Sequence, residues 1–205
     1  MNAPDTMLWQ RWHADRDADA FTELVSRHSG MVYATCRRVL GNASEAEDIA
    51  QECFVKLMMA ADVSVRESLG PWLHTTAFNT SLNQIRGEKR RREREVRYAE
   101  ERIEGTDIGQ DELLPYVNEA IAELPEKLRM PIIGRFLEGR THEGISRDLG
   151  VAESTVRYRL DQGVDRIRKH LKRRGISITA TALAGVMCSS LVEAAPATLA
   201  RPWAN

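Results

Sequence analysis

The chain has 205 residues, which is enough for one large domain or two small ones, and its 42% hydrophobic content allows real cores. Its formal net charge of −1 argues against a uniformly cationic protein, but the charges are unevenly distributed. Arg86–Arg94 holds six basic and two acidic residues and Arg157–Arg174 holds eight and two, whereas Tyr98–Glu126 holds nine acidic residues and one basic. Two basic blocks separated by an acidic one predict two surfaces that face polyanions.

Helical periodicity dominates the first sixty residues. Apolar residues recur at three- and four-residue steps over Phe21–Leu40, and Gly41 follows as a plausible helix end. The pair Ser44 and Glu47 predicts a capping box at the start of a second helix. One apolar stripe then runs along positions 46–61, with polar residues on the opposite face.

Helices are also predicted for the rest of the chain. Pro71 is suited to the first turn of a third helix, which continues through Ile85 into the basic block. The apolar stripe is lost over Val96–Glu112, which contains two glycines and is acidic, so this segment is interpreted as a linker. A second apolar pattern runs from Leu113 past Leu171. Because no segment alternates in polarity like a strand, the predicted fold class is all-α, with two small helical domains joined by an acidic linker.

A helix-turn-helix is predicted over Thr141–Leu160. Thr141 can cap a short first helix, and Gly150 lies where the tight turn requires a positive φ. Val156 and Leu160 are placed to hold the second helix against the first. The alternative is an ordinary helical hairpin with a solvated charged face. The outward side of the second helix offers polar groups to phosphates or base edges, namely Glu153, Ser154, Thr155, Arg157, Tyr158 and Arg159.

Three segments in this order resemble the extracytoplasmic-function (ECF) sigma factors of bacterial RNA polymerase. The sequence SEAEDIAQECFVKLM (44–58) is similar to their polymerase-binding helix, and GPWLHTTAFNTSLNQIRGEKRRRE (70–93) to their promoter −10 segment. Residues 120–171, including the lead-in ELPEKLR, are similar to their −35-binding domain. The chain departs from the family pattern at His142 and Gly144 and at Gly163, where alanine is usual.

The resemblance implies a domain organisation and a function. Residues 1–95 would form region 2, 96–112 a linker and 113–175 region 4, followed by an apolar tail of unknown role at 176–205. The protein would direct core RNA polymerase to promoter DNA by binding −10 and −35 elements in the cytoplasm. An anti-sigma factor is a candidate third partner, whereas no small-molecule substrate, cofactor or membrane contact is expected.

The resemblance also assigns roles to individual residues. Polymerase contact would fall to Asp48, Gln51 and Glu52. The −10 element would be read by His74, Asn79, Asn83, Arg86, Lys89, Arg90 and Arg91, since amides can pair with base edges and cations with phosphates. The −35 element would be read by Glu153, Ser154, Thr155, Arg157, Tyr158, Arg159, Arg166 and Lys169.

Catalytic and metal sites are not predicted. Gly134–Thr141 nearly fits a phosphate-binding loop, but no strand precedes it. The five histidines are not spaced like metal ligands, and no nucleophile or paired-carboxylate pattern is present, so an enzyme is not expected. Cys36 and Cys53 fall on apolar stripes and are interpreted as buried free thiols in a reducing compartment.

The sequence leaves alternatives open for the function of the chain and for the structure of its C-terminal tail. A stand-alone helix-turn-helix regulator and a helical protein-binding adaptor are the competing functions, but neither requires the basic block that follows Asn79 and Asn83. The uncharged segment Ile176–Val192 is too rich in serine and threonine for a membrane span. It predicts either a short amphipathic helix, which packs on one of the domains or on a protein partner, or a loosely ordered tail.

Overall fold

The computed structural model describes residues 3–60, 63, 68–95, 110–188, 195–196 and 199, with positions 88–95 and 110–112 described by backbone alone. Every regular element in these ranges is helical, which confirms the predicted all-α class. The N-terminal helices are α1 (Asp5–Asp15), α2 (Ala18–Leu40), α3 (Ala43–Met59) and α4 (Gly70–Glu95). The C-terminal elements are α5 (Gln110–Ala122), α6 (Glu126–Ile132), a π-helical turn (Ile133–Leu137), α7 (His142–Leu149), α8 (Glu153–Arg173) and α9 (Ala180–Cys188).

Helix α2 lies at the centre of the N-terminal domain and packs against α1, α3 and α4. The Asp17 side chain accepts a hydrogen bond from the Ala20 amide at its start, and Gly41 ends it in the left-handed region, as predicted. Cys36 and Cys53 are buried free thiols between these helices, also as predicted. Helix α1 was not predicted from the sequence; of its side chains only Leu8 and Trp9 are buried in the hydrophobic core, and Trp12 packs against it partly buried.

The predicted capping box of α3 is wrong. The N-cap is Asn42, whose side-chain oxygen accepts hydrogen bonds from the amides of Ser44 and Glu45. The Asn42 amide group in turn donates to a Glu45 carboxylate oxygen at 3.2 Å. The helix therefore begins one residue before Ser44, because asparagine is as effective an N-cap as serine.

Helix α8 is the centre of the C-terminal domain. Its buried side packs on α5, α6 and α7, and Leu160, Gly163 and Ile167 face these helices. Helix α5 begins at Gln110, three residues before the predicted start of the domain, whereas 96–109 of the predicted linker lie outside the described residues. A Cβ on Gly163 would lie 2.7 Å from Ile132 Cγ1, so the close approach of α8 to α6 depends on this glycine.

The apolar tail supplies one further helix. In α9, Leu183, Val186 and Met187 are buried, and the helix packs against α5, α8 and the π-helical turn. The short-helix interpretation is therefore confirmed over 180–188, while the continuation of the stripe to Ala194 lies outside the described residues. Among the described helices, none combines the length and hydropathy required to cross a bilayer.

The two domains contact each other. His28 of α2 lies 3.0 Å from a Glu138 carboxylate oxygen just after the π-helical turn. Elsewhere in the contact, the Asn118 side-chain oxygen of α5 accepts from Arg38 of α2 at 3.3 Å and from His74 of α4 at 3.4 Å. The domain bounds inferred from the sequence remain a prediction, but these contacts show that the helices of the two halves pack against each other.

Candidate nucleic-acid interface

The helix-turn-helix predicted from the sequence has the geometry that its residues require. The Thr141 hydroxyl caps α7 by accepting from the Gly144 amide at 3.1 Å, and Gly150 turns the chain with a φ of 61°. The Ser146 hydroxyl donates to the Val151 carbonyl at 2.6 Å, which ties α7 to the turn. Helix α8 then begins without a side-chain cap, because Ala152 occupies the N-cap position.

The first two turns of α8 present a polar face. Val156 and Leu160 are buried on one side, whereas Tyr158 on the other is 62% exposed. The Tyr158 hydroxyl accepts from the Gln162 amide at 2.7 Å, and Arg157 lies 3.6 Å from Glu153. The predicted −35 residues are placed as follows: Glu153, Ser154, Arg157, Tyr158, Arg166 and Lys169 are exposed, and Thr155 and Arg159 are half-buried. This helix can therefore offer an aromatic ring and several cations to one ligand surface.

A second polar face lies on α4. Leu73, Ala77 and Ser81 are buried on one side, and Asn79, Asn83 and Arg86 are exposed on the other. These last three residues follow one another at four- and three-residue steps, so they form one stripe. The backbone of α4 continues to Glu95 and carries Lys89, Arg90 and Arg91 along the same helix, although their side chains are outside the described residues.

His74 is the predicted −10 residue that the structure does not place on this face. The imidazole is 0% exposed and lies under α5, where Nε2 is 3.4 Å from the Asn118 oxygen. Burial, together with the charges of Arg38 and Arg129, lowers the pKa of His74 to about 3, so the ring is neutral. Its assignment as a DNA-contacting residue is therefore wrong for this arrangement, because another helix covers it. Trp72, two residues before His74, is half-buried against the core.

The predicted polymerase-binding residues lie on the outer face of α3. Asp48 and Glu52 are exposed and Gln51 is half-buried, while Ile49, Cys53 and Phe54 on the opposite face are buried. Glu52 is not isolated, because the Lys56 ammonium lies 2.8 Å from its carboxylate. The same ammonium donates to the Thr80 hydroxyl of α4 at 2.9 Å, which links α3 to α4.

A buried charged cluster was missed by sequence analysis. His28 Nε2 lies 2.8 Å from an Asp5 carboxylate oxygen, and Nδ1 lies 3.0 Å from Glu138. Burial by itself lowers the pKa of His28, but the hydrogen bonds to both carboxylates raise it to about 9. Burial likewise opposes ionisation of Asp5, yet the bond from His28 holds the pKa of Asp5 far below its usual value. No local signal marks this cluster, because Glu138 is 110 residues from His28 in the chain.

Three potential metal ligands also meet in the folded chain, although none was predicted. Glu119 and Glu123 of α5 and His170 of α8 have ligand atoms within 4.8 Å of one another. Their contacts are direct polar contacts between helices. His170 Nδ1 lies 3.0 Å from Glu123, and the Arg174 guanidinium lies 2.6 Å from Glu119. We therefore assign these residues to the packing of α5 on α8.

Comparison with known proteins finds relatives for both halves of the chain. The family model for Sigma-70 region 2 matches residues 24–91, and that for Sigma-70, region 4 matches residues 115–167. The ECF RNA polymerase sigma factor SigW of Bacillus subtilis is 29% identical over 175 residues, covering 76% of this chain and 91% of the relative. The RNA polymerase sigma-H factor of Pseudomonas aeruginosa is 31% identical over 170 residues, covering 76% and 88%.

Among solved structures, CnrH in complex with the cytosolic domain of CnrY has 18% sequence identity and a TM-score of 0.40, covering 82% of this chain and 97% of that one. The sequence relatives cover most of both chains, and both sigma-factor regions match in the expected order. The chain therefore belongs to the ECF RNA polymerase sigma factors, the promoter-directing subunits of transcription initiation.

Proposed function

We propose that this chain recruits core RNA polymerase to promoters in the cytoplasm by using three separate helical faces. Helix α8 reads the −35 duplex, α4 reads the −10 element, and α3 binds the polymerase. The chain supplies recognition, and the polymerase supplies catalysis. The observation that carries the proposal is the exposed polar face at the start of α8, directly after a capped helix and a glycine turn.

The dimensions of α8 support insertion into a major groove. A groove about 12 Å wide admits one α-helix, whose N-terminal residues then face the base edges. Arg157 and Tyr158 are exposed in the first two turns of α8, whereas Arg166 and Lys169 come two to four turns later. We infer that the first pair reads bases and the second pair contacts phosphates, because a helix that enters the groove end-on moves away from the bases along its length.

The stripe on α4 is suited to a different target. Asn79 and Asn83 can each form paired hydrogen bonds with a base edge, and Arg86 begins a run of cations that suits the phosphate backbone. With His74 buried, we restrict the proposed −10 contacts to Asn79, Asn83, Arg86, Lys89, Arg90 and Arg91. The side chains of the last three lie outside the described residues, so their assignment rests on the sequence.

Charge and burial on α3 favour its outer face as the polymerase-binding surface. Helix α3 already uses one side for the core, so only the side with Asp48, Gln51 and Glu52 is available to a partner. Two carboxylates on one face favour a partner surface with positive charge. The ion pair between Glu52 and Lys56 is exposed and contributes little to stability. Glu52 can therefore leave Lys56 and pair with a cation of the polymerase at little cost in free energy.

The experiment that tests the proposal is transcription from a promoter library by core polymerase with the full chain. The wild type should select a defined promoter class. Replacing Arg157 and Tyr158 by alanine should relax the preference at one or two −35 positions, with about 1–3 kcal/mol lost for each base contact.

The matched control is Arg173→Ala, which removes the same charge from the exposed far end of α8, about 24 Å along the helix. This variant should leave the base preference unchanged. An unaltered preference in the Arg157/Tyr158 variant would show that α8 does not read the promoter. Binding of specific DNA without any association with core polymerase would instead indicate a stand-alone regulator.

A further inference from the structure

The outward face of α8 carries two neutral side chains that are hydrogen-bonded to each other, Tyr158 and Gln162, called here the α8 pair. Tyr158 is 62% exposed, and its phenolic oxygen accepts from the Gln162 side-chain amide at 2.7 Å. Gln162 is exposed as well. The two residues are four positions apart, the spacing at which side chains on one face of a helix meet. Each side chain therefore holds the other in place on a surface that is open to a ligand.

The α8 pair lies on the half of the helix that faces away from the protein. Val156, Leu160 and Gly163 are buried against the rest of the C-terminal domain. With 3.6 residues per turn, positions 158 and 162 fall on the opposite half of the helix. A duplex that receives the exposed side of α8 therefore meets this pair directly.

The charges around the α8 pair favour contact with bases over contact with phosphates. Arg157 and Arg166 are exposed before and after it in the chain, and such cations are suited to the phosphate backbone. The pair itself is neutral, and the exposed carboxylate of Asp161 lies within the same turn. A carboxylate repels phosphate charge. A hydroxyl and an amide at this place are therefore better suited to the polar edges of bases in a groove.

The hydrogen bond within the α8 pair determines what the pair can offer to a base. A tyrosine hydroxyl donates one hydrogen bond and can accept another, and a glutamine amide has two N–H donors and one acceptor oxygen. With the amide donating to the Tyr158 oxygen, the Gln162 oxygen remains as an acceptor, and the phenolic O–H and second amide N–H remain as donors. If the hydroxyl donated to the amide oxygen instead, the pair would still offer a donor beside an acceptor.

This combination matches one of the four bases. In the major groove adenine presents the acceptor N7 beside the donor N6, whereas guanine presents two acceptors, thymine an acceptor beside a methyl group, and cytosine a donor. We propose that Tyr158 and Gln162 act as one unit that selects an adenine of the −35 duplex, with Gln162 as a specificity-determining residue. This inference rests on the proposed function, since it requires that α8 lies in the −35 major groove. Gln162 was not among the residues predicted from the sequence to read this element.

Replacement of Gln162 changes the chemistry of the unit in two different ways. Gln162→Leu leaves a lone hydroxyl, which can rotate to donate or to accept and so discriminates little between bases. Gln162→Glu introduces a carboxylate, which can only accept, so the Tyr158 hydroxyl donates to it and the unit offers acceptors alone. Acceptors pair with the N4 donor of cytosine. The first variant should therefore lose the preference for adenine, and the second should shift it toward cytosine.

The experiment measures transcription by core polymerase with the full chain from promoters in which each −35 base pair is replaced in turn by the other three. The variants are Tyr158→Phe, Gln162→Leu, the combination of both, and Gln162→Glu. The matched control is Arg173→Ala, which changes the net charge by −1 as Gln162→Glu does, but at the exposed far end of α8. Circular dichroism checks that every variant keeps the helical content of the wild type.

We expect the wild type to prefer adenine at one −35 position by about tenfold or more, the discrimination typical of a base read through two hydrogen bonds. Gln162→Leu should abolish this preference, and Tyr158→Phe should weaken it because the amide is no longer held. Adding Tyr158→Phe to Gln162→Leu should change the base preference no further, since the two residues act as a unit. Gln162→Glu should favour cytosine at the same position, and Arg173→Ala should keep the wild-type preferences.

Three results would overturn the proposal. One is an unchanged set of base preferences in Gln162→Leu, and another is a preference for a base other than adenine at the position that this variant affects. The third is a fall in transcription in Gln162→Glu that is equal for all four bases, which would mean that the residue only supports the helix. Failure of the proposed function is distinguishable, because Arg157→Ala would then also leave every −35 preference unchanged. If the inference alone fails, Arg157→Ala still relaxes the preference at its own position.

Discussion

Gly163→Ala is expected to destabilise the C-terminal domain, although alanine is usual here in the family that the sequence resembles. Two effects of opposite sign compete. Alanine in the interior of α8 is favoured over glycine by about 1 kcal/mol. However, the new Cβ would lie 2.7 Å from Ile132 Cγ1 and 2.9 Å from Ile132 Cδ1, well inside van der Waals contact.

The clash outweighs the propensity gain. Ile132 is 0% exposed and lies on α6, so its side chain has little space in which to move. Overpacking of this kind costs about 1–3 kcal/mol. The net expectation is a loss of up to about 2 kcal/mol in the free energy of unfolding. A change of this size is a substantial fraction of the stability of a small domain and would reduce the fraction able to present α8.

A double-mutant cycle with Ile132→Ala isolates the contact. The single variant Ile132→Ala should lose about 2–5 kcal/mol through its cavity. In that background, adding Gly163→Ala should raise stability by about 1 kcal/mol, because the methyl group then enters empty space and the helix propensity remains. The sign of the Gly163 substitution thus reverses between the two backgrounds.

Denaturant unfolding followed by circular dichroism measures all four proteins. Gly30→Ala in α2 is the control, since Gly30 is exposed and a Cβ there meets nothing within 4 Å. It should stabilise the protein by about 0.5–1 kcal/mol. If Gly163→Ala stabilised the wild type as much as Gly30→Ala does, the close approach of α8 to α6 would not be a constraint and the reasoning would be refuted.

Three further predictions follow from other parts of the chain. Replacing Asp48 and Glu52 by lysine should weaken binding to core polymerase at least about tenfold in a pull-down titration while leaving the helical content unchanged, because both lie off the apolar stripe; equal affinity would refute the assignment of α3. The pKa of His28 is raised from 6.5 to about 9, so its contribution to stability is complete below pH 6.5 and is lost as the pH rises through 9. The free energy of unfolding of the wild type, measured at pH 6, 7.5 and 9, should therefore fall from each pH to the next. The same decline in a His28→Gln variant would contradict this prediction. Asn42→Ala should lower the free energy of unfolding by about 1 kcal/mol, because α3 loses its N-cap. An unchanged free energy of unfolding in the same assay would show that Asn42 does not cap the helix.

Local patterns in the sequence were sufficient to predict the all-α fold class and the positions of the exposed polar faces. An apolar stripe at helical spacing determines which side of α3, α4 or α8 is buried, so the exposure of Asp48, Asn79 and Tyr158 followed from periodicity. The turn at Gly150 was also predictable from the sequence, because a left-handed φ at that position favours glycine. The pattern failed for α1, where Met7, Leu8 and Trp9 are consecutive and Met7 is exposed, so no repeating stripe marks the buried side.

Only the tertiary structure decided which polar residues meet across the domains. His74 reads from the sequence as a DNA-contacting residue, but α5 covers it, and nothing near position 74 encodes that contact. His28 lies on the inward side of α2, where an uncharged ring would be expected, and becomes an imidazolium because Asp5 and Glu138 arrive from distant parts of the chain. Helical periodicity is a property of neighbouring residues, whereas the protonation and accessibility of a side chain depend on what the whole chain packs around it. That is why the sequence by itself determined the three exposed polar faces, and the fold alone determined how the two domains are held together.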